Sequence, residues 1–298
     1  MDLSGIFPAL TTPFSDDGSL SLSGLKQNIQ RYNSIGLAGY VVLGSTGESV
    51  LLSRTEADRI LETVRENAAP GKLLIAGTGA ESTAETIERT KRAADLDCDV
   101  ALVKTPYYYK PSYKPDVLIA HYRRVADASP IPVLLYSVPQ FTGVTLETPE
   151  IVALSEHSNI IGIKDSSGHV QRVSEVMGLA RSSFQVLTGG ASVVLPALSV
   201  GARGAILALA SALPEKCVAL YQFFRHGDWS SARELQIALA RASRTMVSAS
   251  GIAGVKFVMD QRGYHGGVPR LPLQPLSERS KQDILEILAT LEPATARA

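Results

Sequence analysis

Sulfur ligands are scarce in this chain. Its 298 residues hold two cysteines, Cys98 and Cys217, which form neither a redox pair nor a metal-binding cluster. A disulfide framework is therefore excluded, and a reduced, cytoplasmic compartment fits. The five histidines, His121, His157, His169, His226 and His265, are scattered with no HxH or HxxxH pair, so no metal is expected. Charge of one sign is not in excess either. The 29 basic residues match 29 acidic ones, which argues against a nucleic acid or an anionic membrane as partner. No apolar run reaches transmembrane length. The opening MDLSGIFPAL lacks the charged and apolar regions of a signal peptide. No GxGxxG follows the first apolar run and no GxSxG occurs, so nucleotide-binding and serine-elbow chemistry have no motif to rest on.

What the chain has instead is a rhythm. Short β-branched, apolar runs bounded by Gly or Pro recur eight times, at 5–13, 39–44, 72–79, 99–106, 132–139, 160–167, 184–190 and 201–210. Such runs read as strands buried on both faces of a parallel sheet. Helical spacing fills the intervals. In SRTEADRILETVRENA, Ser53 and Glu56 form a capping box, and Ile60, Leu61 and Val64 make one apolar stripe. ESTAETIERTKRAADL and PDVLIAHYRRVADA read likewise. Eight strand-then-helix units over about 210 residues favour a closed α/β architecture, a (β/α)8 TIM barrel, over an open doubly wound sheet. The barrel is expected over 1–210. Residues 211–298 are expected to form a C-terminal helical appendage packed on it, with PRLPLQP (269–275) a turn before the last helix and the tail PATARA frayed.

Chemistry in such barrels sits at the C-terminal ends of the strands. Those ends read GSTGE, KTPYYYKP, YSVPQFTG, KDSSG and TGGA, a rim of hydroxyls, glycines and lysines. Lys164, at the end of IIGIKDSS, stands out. Burial disfavours a charged amine, and a neutral amine attacks carbonyls to form a Schiff base. The plainer reading pairs Lys164 with a carboxylate such as Asp165. Lys104 occupies a similar strand end and serves equally well as a rim residue. Tyr136 is suited to proton relay, or is a packed tyrosine with a satisfied hydroxyl. The Gly-flanked Ser45–Thr46–Gly47 turn suits a carboxylate, although tight turns of any purpose look the same. The run Tyr107, Tyr108, Tyr109 suits an interface or a loop reaching into a site.

GSTGE (44–48), TPYYYKP (105–111), YSVPQFTG (136–143) and GIKDSS (162–167), in this order, resemble the dihydrodipicolinate synthase and N-acetylneuraminate lyase family of class I, pyruvate-handling aldolases. The likeness extends from FPALTTPF to GGVPRLPL. It implies that Lys164 forms the Schiff base with a 2-oxo acid and that Tyr136 moves protons there. Ser45 would link Tyr136 to Tyr108, the latter contributed across a tight dimer interface. Thr46 and Gly47 would hold the 2-oxo carboxylate, Gly189 and Ile206 would line the pocket, and Ser166 falls where the 4-hydroxy-2-oxoglutarate aldolase branch has a serine near the substrate. It also implies a homotetramer built as a dimer of dimers, a small-molecule 2-oxo acid as partner, and no cofactor.

Within the family the sequence points two ways. Synthase-type members carry an arginine for the second substrate's carboxylate where this chain has Phe141, and a phenyl ring makes no bidentate contact. Arg54 and Ala57 stand where lysine-sensitive synthases often carry histidines. ESTAETIERT, VADASPIPVLLYSVP, KDSSGHVQR, FQVLTGG and RGYHGG resemble the 4-hydroxy-2-oxoglutarate aldolase branch. Cleavage of 4-hydroxy-2-oxoglutarate to pyruvate and glyoxylate is thus the expected reaction. The alternatives are dihydrodipicolinate synthase, a sugar-acid lyase, a metal-dependent aldolase, or a silent 2-oxo acid sensor.

Overall fold

Each of the eight apolar runs contains a strand: β1 (Gly5–Pro8), β2 (Gly39–Val42), β3 (Leu73–Gly77), β4 (Val100–Lys104), β5 (Val133–Ser137), β6 (Ile160–Asp165), β7 (Gln185–Thr188) and β8 (Gly204–Leu207). The structure, a computed structural model, describes residues 1–291, so the PATARA tail lies outside the described residues. Every ladder is parallel, in the order β1-β8-β7-β6-β5-β4-β3-β2. The circle closes between β1 and β2 through a parallel bridge of Ala9 with Val41. Leu10 N donates to Val41 O at 2.9 Å and Ala38 N to Ile6 O at 2.9 Å. This is the (β/α)8 barrel expected from the repeat.

Strand residues alternate between two apolar environments, as the two-residue period of a strand requires. Phe7, Val41, Ile75, Leu102, Leu134, Leu187 and Ile206 fill the barrel interior. Ala101, Val103, Val133 and Leu135 point outward under the helices. Helix Arg54–Asn67 shows why the outer layer forms. Ser53 Oγ accepts from Glu56 N at 3.2 Å and Glu56 Oε2 accepts from Ser53 N at 2.9 Å, completing the capping box. Its stripe of Ile60, Leu61 and Val64 is buried, each side chain contributing about 1.5–3 kcal/mol.

One irregularity positions the chemistry. Between β5 and β6 the register runs Val133 with Ile160, then Leu134 with Gly162, which leaves Ile161 unpaired. Inserting one residue turns every later side chain of β6 to the other face. Tyr136 consequently meets Lys164, and both belong to the inner face. Gly162 is required here, because a Cβ would lie 2.2 Å from Gln185 O on β7.

Beyond β8 the chain is helical, with helices Pro214–Arg225, Trp229–Ala242, Gly251–Gln261 and Glu278–Leu291. Leu239, Met246, Val258 and Ile284 pack into one cluster with barrel and outer-layer residues such as Leu10 and Ile29. The rings of Tyr32 and Tyr264 stack at 5.0 Å.

Candidate active site

The inner-face alternation brings Lys104, Tyr136 and Lys164 to one level on three adjacent strands. Lys104 pairs in register with Tyr136, and Tyr136 with Lys164. Lys164 is 4% exposed, and its Nζ lies 4.2 Å from the centre of the Tyr136 ring. Asp165 is not its partner. The next residue along a strand points to the opposite face, and Asp165 Oδ1 accepts from Ser167 N at 2.7 Å. Among the described residues Lys164 forms no salt bridge. The amine is therefore held by apolar strand packing against a phenol, with no described carboxylate in salt-bridge contact.

Around this pair the sequence-selected residues fall as follows. The Tyr136 hydroxyl is 3.5 Å from Ser45 Oγ. Ser45, Thr46 and Gly47 form a single 3-10 turn after β2, and Gly47 O accepts from Thr12 Oγ1 at 2.7 Å. The turn is bracketed by Leu43 (φ 58°) and Glu48 (φ 54°), both in the left-handed region that non-glycine residues avoid. Ser166 follows β6, its N–H donating to Ser137 O at 2.9 Å. Gly189 follows β7, and its N–H donates to Asp165 O at 2.7 Å. A Cβ on Gly189 would lie 1.9 Å from Ser166 Oγ, so the two loops approach only because that residue is glycine. Ile206 is fully buried in the same interior cluster as Tyr136. Tyr108 is the exception. It is 72% exposed, its N–H donates to Glu81 Oε2 at 2.8 Å, and its ring meets Tyr109 edge-on. Within one chain it does not reach Tyr136.

Three residues that the sequence reading left without a role hold the Ser45–Gly47 turn in place. Glu48, whose side chain is fully buried, contacts Lys256 Nζ at 2.6 Å and accepts from Arg270 N at 2.7 Å. Lys256 Nζ also donates to Val268 O at 2.7 Å. The Arg270 guanidinium grips both oxygens of Glu56 and holds that carboxyl down at about 2. The C-terminal segment is thereby tied to the turn. A signal existed in the sequence: Lys256 falls on the helical stripe of Ile252, Val255 and Met259, where a charge implies a buried partner.

A cavity of about 280 Å³ opens beside Ser45, lined also by Lys104, Tyr107, Phe141, Thr142 and Ile252. Burial pulls the Lys104 amine down to about 8, and its Nζ donates to Gly79 O at 2.6 Å. Phe141 lies at the rim, 66% exposed. Arg54 is elsewhere, paired with Glu85 and Glu88 beside a separate cavity of about 330 Å³. Among the described residues no helix is long and apolar enough to cross a membrane, and no group of three His, Cys, Asp or Glu could hold a metal ion.

Residues 2–291 match the Dihydrodipicolinate synthetase family. The 4-hydroxy-tetrahydrodipicolinate synthase of Methanothrix thermoacetophila is 39% identical over 98% of both chains. That of Natronomonas pharaonis is 38% identical over 97% of both. A dihydrodipicolinate synthase structure from Bacillus anthracis superposes with a TM-score of 0.94 at 29% identity, covering 98% of this chain and 100% of the other. One from Acinetobacter baumannii, complexed with pyruvate, gives 0.92 at 32% identity over 96% and 98%.

These relatives overturn the expectation of 4-hydroxy-2-oxoglutarate cleavage. Chains similar over nearly their whole length are named for the synthase reaction. Two of the stretches behind that expectation carry packing. ESTAETIERT runs into outer helix Thr83–Asp95, and RGYHGG lies in the C-terminal segment, where Tyr264 stacks on Tyr32.

Proposed function

This chain belongs to the Dihydrodipicolinate synthetase family of aldolase-type lyases, and we propose from that premise that Lys164 captures pyruvate as a Schiff base for addition to an aldehyde, as in 4-hydroxy-tetrahydrodipicolinate synthesis. The single observation that carries this reading is the placement of Lys164 Nζ, unpaired with any described carboxylate, 4.2 Å from the Tyr136 ring.

The chemistry follows from the groups at hand. The amine attacks the keto carbon of pyruvate, and water leaves as the protonated imine forms. The imine withdraws electrons, so the methyl carbon loses a proton and becomes an enamine. That carbon attacks an aldehyde such as aspartate semialdehyde, and the new alkoxide takes a proton. The partner's own amine then displaces Lys164 and closes the ring. Tyr136 supplies and accepts the protons, with Ser45 as its relay at 3.5 Å. Thr46 and Gly47 hold the pyruvate carboxylate, while Ser166, Gly189 and Ile206 shape the pocket. Tyr108 completes the relay from a second copy of the chain, in a tetramer of paired dimers. The exposure of Tyr108 supports this, since a phenol at its position has no use for Tyr136 within one chain. Two free, buried cysteines fit a cytoplasmic setting.

Borohydride reduction in the presence of pyruvate tests the reading. One stable pyruvate adduct on the peptide carrying Lys164 is expected, and its absence refutes the proposal.

A further inference from the structure

A tetrahydrodipicolinate ring carries two carboxylates, one from the pyruvate half and one from the aldehyde half. A site that builds such a ring therefore holds two anions at once. The Ser45–Gly47 turn serves one of them, and the second needs a cation farther out.

The cavity beside Ser45 contains that cation. Among its described lining residues the charged ones are Glu48 and Lys104. Glu48 is already ion-paired with Lys256 at 2.6 Å and accepts from Arg270 N at 2.7 Å. Lys104 forms no salt bridge with any described residue. Its bond to Gly79 O uses one of the three protons of an ammonium. The Tyr107 ring lies 5.4 Å from its Nζ. A narrow cleft joins Lys104 to Ser45 and Tyr136, so this amine borders both the outer cavity and the proton-transfer pair. The outer walls are largely apolar, with Phe141, Ile252, Val50 and Leu273 among them, and a low-dielectric surround strengthens a single charge contact.

We infer that Lys104 docks the carboxylate of the aldehyde partner and so determines which aldehydes the enzyme accepts. The inference rests on the condensation proposed above. It explains why a mostly buried lysine, with Glu81 near enough to act on it but in no salt bridge with any described residue, is kept at this cavity, since a bound carboxylate offsets the cost of burying its charge. It also separates the roles of two lysines on either side of Tyr136: Lys164 bonds covalently, and Lys104 holds by charge.

Calorimetry with two probes tests the assignment without requiring turnover. Pyridine-2,6-dicarboxylate presents both carboxylates, and pyridine-2-carboxylate presents one. Lys104→Met should weaken the dicarboxylate by about 10- to 100-fold while changing the monocarboxylate by no more than about twofold, and Lys104→Arg should recover most of the loss. Equal loss on both probes, no loss on the dicarboxylate, or a wild type that prefers the monocarboxylate overturns the inference. Borohydride trapping with pyruvate, followed by peptide mapping, forms the second arm. An adduct on Lys164 in the wild type is expected, and an adduct on Lys104 overturns the assignment. No adduct anywhere refutes the Schiff base alone, and the two-probe comparison still judges Lys104.

Discussion

Replacing Lys256 with Met removes a buried ammonium and keeps nearly the same volume. Lys256 is 1% exposed, and its Nζ sits 2.6 Å from Glu48, whose side chain is 0% exposed. After the substitution Glu48 keeps the Arg270 N–H at 2.7 Å and loses its countercharge. Breaking a buried pair from one side costs about 3–5 kcal/mol, because the remaining charge is stranded in low dielectric. For a chain of this size, each kcal/mol lowers Tm by roughly 2–4 °C, so a fall of about 6–20 °C is expected in calorimetry. A further outcome separates this cause from simple loss of packing. The double variant Glu48→Gln, Lys256→Met should regain much of the loss, since no charge is then stranded. Pyruvate affinity should drop with stability, as Glu48 is the anchor of the Ser45–Gly47 turn. A loss below about 1 kcal/mol, or a double variant less stable than the single, refutes the reasoning.

Four other outcomes follow. Lys164→Ala should abolish pyruvate trapping while the far-UV spectrum stays native, as read by borohydride mass labelling. Lys104 is faced by Glu81, Arg89, Tyr107 and Tyr136, and burial places its titration at about 8. It is charged below that pH and neutral above it, so KM for the aldehyde should climb between pH 7 and 9 while KM for pyruvate moves less. The same depression has a stability sign: the cost of the charged amine is complete below about 8 and is relieved as pH rises toward the ordinary lysine value of about 10.5. Gly189→Ala puts a Cβ 1.9 Å from Ser166 Oγ, and overpacking of that kind costs about 1–3 kcal/mol, measurable in urea, with kcat lowered as Ser166 shifts. Tyr108→Phe should cut kcat with little change in Tm, because the substitution keeps the ring and removes only the hydroxyl; an unchanged kcat rejects its part in the relay.

Local pattern alone determined the strands, the helices between them and the rim where the polar residues gather. A parallel barrel strand must be apolar on both faces, and a helix must carry one apolar stripe, so eight such units are legible without coordinates. Lys164 was legible for the same reason: a lysine in an otherwise apolar strand is a rule broken in view. Substrate preference was not legible: some of the stretches that suggested it belong to an outer helix and to C-terminal packing, and the others hold Tyr136, Lys164 and Gly189, which pyruvate-handling members of either kind would share. The facing of Lys164 was not legible either. It depends on the unpaired Ile161, an irregularity of pairing between two strands that leaves no mark on either run alone. Glu48 with Lys256, and Lys104 with Ser45 and Tyr136, are likewise contacts between distant segments. Sequence period decides which face a residue shares with its near neighbours. Only closure of the barrel decides which charges end up beside one another.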